Sequence, residues 1–198
     1  LALYWAKDDA GNEYTTTSGQ EAYISNRKST GNMMPKGYGG FGTDLKLYGF
    51  DLSLSFAYQF GGKIIDNTYC QLSYGGSTAY IGQAMHKDLL NAWTPTNTNT
   101  DVPRLATNDQ YTTYTAACDR WLVSSNYLAL NNITLGYTFK QDWVKKIGLS
   151  ELRIYGAAEN VALWSARKGL DPRQSYLTSQ NSTYSPSRTI SGGIRVSF

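Results

Sequence analysis

The clearest pattern in the chain is a strict alternation of apolar and polar positions over residues 50–60. Every second residue is large and apolar, and the residues between are small or polar. A period of two places successive side chains on opposite faces of a β-strand. We therefore predict a strand whose apolar face consists of Phe50, Leu52, Leu54, Phe56, Tyr58 and Phe60.

The length of this strand and the order of its apolar residues suit a membrane. At about 3.3 Å per residue the segment reaches roughly 35 Å, which at a tilt of about 45° covers the hydrocarbon layer. Aromatic residues stand at both ends, and Leu52 and Leu54 lie between them, as in lipid-facing strands. A half-buried strand of a soluble β-sandwich shows the same alternation, so this segment alone leaves both interpretations open.

A second strand is predicted over residues 39–47, with Phe41, Leu45 and Leu47 on one face. Tyr48 and Gly49 then form a two-residue hairpin turn. Residues that flank such a turn pair directly and share a face, so the apolar positions of both strands fall on the same side.

Further strands are predicted over residues 127–139, 151–162 and 188–198. In the first of these Ile133, Leu135 and Tyr137 share a face, whereas Leu128 and Leu130 have the opposite parity. A β-bulge near residues 131–132 would explain this change of parity. Residues 142–147 predict one helical turn that ends at Gly148.

The chain finishes on an alternating strand with an aromatic last residue. A soluble sandwich has no reason to end in this way, whereas bacterial outer-membrane barrels do, because their insertion machinery reads the final strand. We expect the residues of this insertion signal to be Ile190, Gly192, Ile194, Val196 and Phe198.

The segments between the strands are polar and rich in turn residues. Residues 7–30 predict a polar surface loop, and residues 61–126 a long connection in which residues 81–93 form a short amphipathic helix. Connections of this length usually carry function. If Tyr48 and Gly49 make a short periplasmic turn, the long connection lies outside the cell.

Composition agrees with a β-rich protein. Of 198 residues 14% are aromatic and only 17% are charged, with 16 Tyr and 19 Gly. No apolar run is long enough to predict a transmembrane helix. The net charge of +3 is small and scattered, which argues against nucleic-acid binding. Leu1 is followed by no export leader, so we expect any export signal to lie outside this chain or to have been removed.

Catalytic and metal-binding motifs are not evident. His86 is the single histidine, so a multi-histidine metal site cannot be built, and we expect no catalytic residue, metal or cofactor. Asp8, Asp9 and Asp101 lack the spacing of a calcium loop. Cys70 and Cys118 both fall in the long connection; an exported location permits a disulfide, but their spacing cannot show proximity.

An ordered set of short motifs resembles the C-terminal part of the SusC/RagA family of TonB-dependent outer-membrane transporters. The motifs cover most of the chain from about residue 35, and the ordered set is specific although each motif is short. They are GGF at 39–41, YGFDLS at 48–53, FGGK at 60–63, WTP at 93–95, NTNTDVPRL at 97–105, NITLGY at 132–137, WVKKIG at 143–148, LRIY at 152–155, EN at 159–160, GLDP at 169–172 and VSF at 196–198.

The resemblance implies a fold and several partners. The fold is an all-β, antiparallel transmembrane β-barrel of about 22 strands, filled by a plug. Residues 1–198 would be the C-terminal portion of its barrel domain, with the plug absent, long extracellular loops, and the C-terminus on the periplasmic side of a bacterial outer membrane. The roughly five full strands predicted here cannot close a barrel, so the remaining strands and the plug must come from elsewhere. The implied partners are outer-membrane lipid, a SusD-like lipoprotein, TonB acting through the missing N-terminal region, and an oligosaccharide or peptide substrate.

On this interpretation the apolar residues face lipid and the polar ones face the lumen. The lipid-facing set is Phe41, Leu45, Leu47, the six apolar residues of 50–60, Ile133, Leu135 and Tyr137. The lumen-facing set is Asp51, Gln59, Arg153, Glu159 and Arg195. In the loops we predict ligand or partner contacts from aromatic and polar side chains. These loop residues are Trp93, Arg104, Trp121, Tyr176 and Tyr184. The alternative is that Trp93 and Trp121 pack the loops against each other or against the lipoprotein cap.

Three functions are considered. The first, which the resemblance implies, is part of an active importer of oligosaccharides or peptides, energised through TonB. The second is a passive porin-type barrel, and the third is a soluble glycan-binding β-sandwich.

Overall fold

The computed structural model describes residues 3–73, 84–102, 104–105, 119–139, 141–174 and 186–198. The chain divides into two compact units. One comprises Leu1–Gly31 and Ile65–Leu122, and the other comprises Asn32–Ile64 and Val123–Phe198.

The second unit is built on a five-stranded antiparallel sheet. Its strands are β3 Gly37–Leu47, β4 Phe50–Phe60, β7 Tyr127–Thr138, β8 Glu151–Ser165 and β9 Thr189–Ser197, in the order β3-β4-β7-β8-β9. The predicted strands are therefore confirmed, with β8 running three residues further than expected.

The turn between β3 and β4 is the predicted two-residue hairpin. Leu47 pairs with Phe50, and both central residues have positive φ, 51° at Tyr48 and 90° at Gly49. This is the type I′ geometry that matches the twist of the flanking strands. A Cβ at position 49 would lie 2.7 Å from the carbonyl oxygen of Thr138, so glycine is required there.

The predicted β-bulge in β7 is also confirmed. Ser55 pairs with Asn132, but Phe56 pairs with Leu130, so Asn131 is the extra residue. This one insertion reverses the parity of β7 and brings Leu128 and Leu130 opposite Tyr58 and Phe56. The α-helix α3, Gln141–Lys145, follows β7, and the turn after it reaches Gly148 at a φ of 79°.

The first unit corrects the prediction of a polar loop over residues 7–30. It contains a hairpin of β1 (Tyr4–Lys7) and β2 (Glu13–Thr16), followed by the helix α1, Gly19–Ser25. Ser18 caps this helix through a hydrogen bond from the Glu21 backbone N–H to its Oγ. Glu21 in turn accepts hydrogen bonds from the hydroxyls of Thr16 and Tyr14, which lower the pKa of its carboxyl group.

The amphipathic helix predicted over residues 81–93 is wrong in the part that the structure describes. Only Lys87–Asn91 is helical, as a short 3-10 helix, and residues 81–83 lie outside the described ranges. His86 has extended backbone angles and caps the helix, so the helix cannot begin earlier. Leu89, Ala92 and Val102 form a small buried cluster beside it.

Five short elements complete the described fold, and two of them are the 3-10 helices Asp119–Trp121 and Pro172–Gln174. The helix α2, Asn67–Leu72, was not predicted, and Asp66 caps it by accepting a hydrogen bond from the Tyr69 N–H. The strands β5 (Lys63–Ile65) and β6 (Leu122–Ser124) form a separate two-stranded sheet. None of the described helices has the length and hydropathy that crossing a membrane requires.

Candidate functional site

The register of the five-stranded sheet collects its apolar side chains on one face. Cross-strand partners share a face, so Phe50, Leu52 and Leu54 of β4 each align with apolar or small residues on all four other strands. One row runs Leu47, Phe50, Tyr137, Ile154 and Ile194. All the residues predicted to face lipid lie on this apolar face. It also includes Leu128, Leu130, Leu152, Ile154, Ala158, Ala162, Trp164, Ile190, Gly192, Ile194 and Val196.

The apolar face is not the core of a globular unit. Leu47 is 66% exposed and Ile190 is 78% exposed, and none of the large apolar residues of this face is buried within the described chain. Each Å² of apolar surface left in water forgoes about 25 cal/mol of burial free energy. A face of this extent therefore needs an apolar environment, and the described residues do not form the soluble sandwich.

Aromatic residues of the apolar face concentrate towards the two ends of the strands. Near the hairpin end the rings of Phe50 and Tyr137 lie 4.6 Å apart. Near the other end the rings of Tyr58 and Phe60 stack at 6.4 Å, and Phe41 stacks on Phe56 at 4.8 Å between that end and the middle. Leucine and isoleucine occupy the middle, and about 33 Å separates Phe50 from Phe60 along β4. An apolar band flanked by aromatic girdles is typical of membrane-spanning strands.

The opposite, polar face carries the five residues predicted to face the lumen. On this face Asp51 of β4 forms an ion pair with Arg153 of β8. Arg153 Nε donates to Asp51 Oδ1 at 3.0 Å, and a second guanidinium nitrogen donates to the other carboxylate oxygen. Both side chains are only 23% exposed, and a bidentate pair of this kind fixes both partners.

Gly136 allows this ion pair to pass over the intervening strand β7. Asp51 pairs with Gly136 in the sheet, and the two charged groups meet directly above it. A Cβ at position 136 would clash with an Arg153 nitrogen and would lie 2.6 Å from an Asp51 oxygen. The ion pair therefore fits only because position 136 has no side chain. The alternation of apolar and polar residues does not indicate this role of Gly136.

Gln59 closes the polar face at the other end of β4. It is 7% exposed, and its Nε2 donates to the carbonyl and hydroxyl oxygens of Ser125 at 3.1 and 3.2 Å. Ser125 in turn donates to the carbonyl of Gly61 at 2.9 Å. These bonds fix the chain where it leaves β4 and where it enters β7.

The loop residues predicted to contact a ligand differ in how exposed they are. Trp93 is 38% exposed and Arg104 is exposed, so both are accessible within the described chain. Trp121 is 2% exposed and lies edge-on to the ring of Tyr69, which agrees with the packing alternative. Tyr176, Tyr184 and Cys118 lie outside the described residues. Cys70 is buried on α2, and its disulfide with Cys118 stays a prediction.

His86 belongs to a small polar cluster that sequence reasoning missed. Its Nδ1 accepts a hydrogen bond from the Asp88 N–H at 3.2 Å, and Tyr69 donates its hydroxyl to the Asp88 carboxylate at 2.8 Å. Because the hydrogen bond from the Asp88 N–H to His86 caps the 3-10 helix, the histidine has a local structural role. Within the described chain no group of three or more His, Cys, Asp or Glu side chains could hold a metal ion.

No protein-family model matches the chain. Two curated relatives from Formosa agariphila do match it. TonB-dependent receptor P3 is 30% identical over 203 residues, covering 96% of this chain and 19% of the relative. TonB-dependent receptor P39 is 26% identical over 149 residues, covering 75% of this chain and 14% of the relative. The chain thus spans about a fifth or less of the length of these relatives.

Solved structures of the RagAB peptide transporter also match. One matches 98% of this chain with 28% identity and a TM-score of 0.71, covering 20% of the solved chain. The open-open state of the RagAB peptide importer matches 99% of this chain with 25% identity and a TM-score of 0.60.

The chain is homologous to TonB-dependent receptors over nearly its whole length. Within that class it is RagA-like, because the solved structures that share its fold and sequence belong to the RagAB transporter. These relatives are receptors and transporters rather than enzymes, as the sequence predicted.

The ion pair above Gly136 makes a prediction for the receptor that contains this chain. We expect D51A to lower the free energy of unfolding by about 1 kcal/mol. In a G136A background D51A should be nearly neutral, because the added methyl group already displaces the pair. Chemical denaturation of the purified receptor in lipid measures both effects.

The matched control is G156A, because the nearest atom to a Cβ at position 156 is 3.9 Å away. D51A should cost the same in that background as in wild type. An equal cost of D51A in the wild-type, G136A and G156A backgrounds would show that Gly136 has no part in the pair.

Proposed function

We propose that this chain is the C-terminal portion of the barrel wall of an outer-membrane transporter. TonB-dependent receptors are outer-membrane proteins, and the chain is homologous to part of one. The observation that carries the proposal is the division of one sheet into a continuous, exposed apolar face and a polar face with a buried glutamine and an ordered ion pair. The apolar face meets lipid and the polar face meets the lumen.

The sheet requires further strands if it lies in lipid. Its edge strands are β3 and β9, and each leaves one side of its backbone without a partner strand in the described sheet. An unpaired backbone group in hydrocarbon costs several kcal/mol, so spanning sheets are closed. About 22 strands would close the barrel, and the remaining strands and a plug come from the part of the protein outside this chain.

Within this proposal the transporter imports its substrate actively. TonB energises it from the inner membrane, and a SusD-like surface lipoprotein captures the substrate first. The solved relatives are a peptide transporter, which favours a peptide over an oligosaccharide as the cargo. The exposed side chains of Trp93 and Arg104 are candidates for contacts with the substrate or the lipoprotein.

The orientation of the sheet is tested by moving one charge between its faces. L54R places arginine on the apolar face near the middle of β4 and should cost about 2–4 kcal/mol of folding free energy in a bilayer. S55R places the same charge one residue away on the polar face and should cost much less. Urea unfolding of the receptor in lipid vesicles measures both variants, and equal costs would show that the assigned faces are wrong.

The cargo is tested by deleting the gene in its native bacterium. We expect uptake of fluorescent oligopeptides to fall to background and uptake of oligosaccharides to continue, and removal of TonB should reproduce the loss. Import that persists without TonB would identify a passive barrel. Loss of oligosaccharide uptake alone would reassign the cargo.

A further inference from the structure

The short helix α3 and the turn after it lie at the Tyr48-Gly49 end of the sheet. Thr138, the last residue of β7, donates its backbone N–H to the carbonyl of Gly49 at 2.7 Å, and the helix begins shortly after it. The helix connects β7 to β8, and both of these strands have their neighbours within this chain. The exposed side chains of this connection therefore do not belong to an open sheet edge.

A run of aromatic rings joins the apolar face of the sheet to α3. The ring of Tyr137 lies 5.0 Å from that of Phe139, and the ring of Phe139 lies 5.4 Å from that of Trp143 on the helix. Tyr137 belongs to the apolar face, and Phe139 continues its parity just past the end of β7. Because Trp143 is 52% exposed, the aromatic end of the apolar face extends onto α3 as an exposed tryptophan.

The helix has one apolar flank and one polar flank. Val144 is fully buried, and α3 lies against β8. Trp143 and Ile147 are four residues apart on one flank, and each is more than half exposed. The backbone N–H of Lys146 donates to the Trp143 carbonyl at 3.2 Å, a 3-10 step in which residues three apart are nearly eclipsed. Lys146 therefore stands beside Trp143, whereas Lys145 lies on the opposite flank.

The charge of Lys146 is available to a partner. Lys146 is exposed, and none of the described residues forms a salt bridge or side-chain hydrogen bond with it. A lysine beside apolar surface lays its methylene stem along that surface and holds its ammonium group at the water boundary. Tryptophan is enriched at the same depth, where its ring meets acyl chains and its N–H meets headgroups. An ammonium group at this depth is complementary to the phosphate of an anionic phospholipid.

We propose that Trp143, Lys146 and Ile147, the α3 patch, bind the headgroup and upper acyl chains of an anionic phospholipid in the periplasmic leaflet. The inference rests on the proposed function, in which the apolar face of the sheet meets lipid. The α3 patch shares its end of the sheet with the C-terminus, because Ser150 donates its backbone N–H to the carbonyl of Ser197 at 2.8 Å. We expect this end to be periplasmic, and the periplasmic leaflet of an outer membrane consists of phospholipid.

The test uses the full receptor with a photo-cross-linking amino acid in place of Ile147, in vesicles that mix phosphatidylethanolamine with phosphatidylglycerol. Mass spectrometry counts the adducts of each lipid. We expect phosphatidylglycerol to be enriched among them about fivefold over its share of the vesicle, because one lysine at an anionic surface contributes about that factor. K146Q should remove this enrichment. The matched control K145Q removes an equal charge from the other flank and should leave the enrichment nearly unchanged.

A cross-linker at Leu54, in the middle of the apolar face, separates this inference from the proposed function. It should label both lipids in proportion to their share of the vesicle. If it labels no lipid, the proposed membrane-spanning role is wrong and the inference fails with it.

Three results at position 147 would overturn the inference alone, provided that position 54 labels lipid. They are the absence of lipid adducts, adducts in the bulk proportion, and an enrichment that K145Q and K146Q lower equally. In intact outer membranes the adducts at position 147 should be phospholipid, and adducts of lipopolysaccharide in their place would contradict the assignment to the periplasmic leaflet.

Discussion

The rest of the structure depends on the cross-strand register of β3, β4 and β7. The type I′ turn at Tyr48 and Gly49 aligns Leu47 with Phe50, and the insertion of Asn131 realigns the second half of β7. A slip of one residue in either place would send every following apolar side chain to the polar face. Two local backbone features therefore decide whether the sheet has one apolar face or two mixed ones.

The same register gives the two faces of the sheet different side chains and different roles. On the apolar face the register places aromatic rings near the strand ends and aliphatic side chains between them. This arrangement does not require a second protein layer against the face. On the polar face the register brings Asp51 and Arg153 together across a strand that has no side chain at Gly136. One hydrogen-bonded framework thus gives the sheet two different faces, which the proposed function assigns to lipid and to the lumen.

Much of the sheet could be predicted from the sequence because alternation, turn chemistry and the bulge are local signals. Leu152, Ile154 and Trp164 were missing from the predicted face although the alternation of residues 151–165 contains them. The helix α1 was missed although Ser18 and Glu21 have the spacing of a capping box. The ion pair of Asp51 and Arg153 could not be predicted, because it joins residues far apart in sequence through a diagonal that only the register defines.

The central claim is that alternate residues of β4 meet lipid and the lumen, and spin labels placed singly at positions 50–60 of the receptor in bilayers test it most directly. Oxygen concentrates in lipid and a nickel chelate stays in water, so collision rates with the two reagents report the environment of each label. The account predicts that labels at even positions collide mainly with oxygen and labels at odd positions do not, with a period of two along the strand. Equal collision rates at even and odd positions would contradict it.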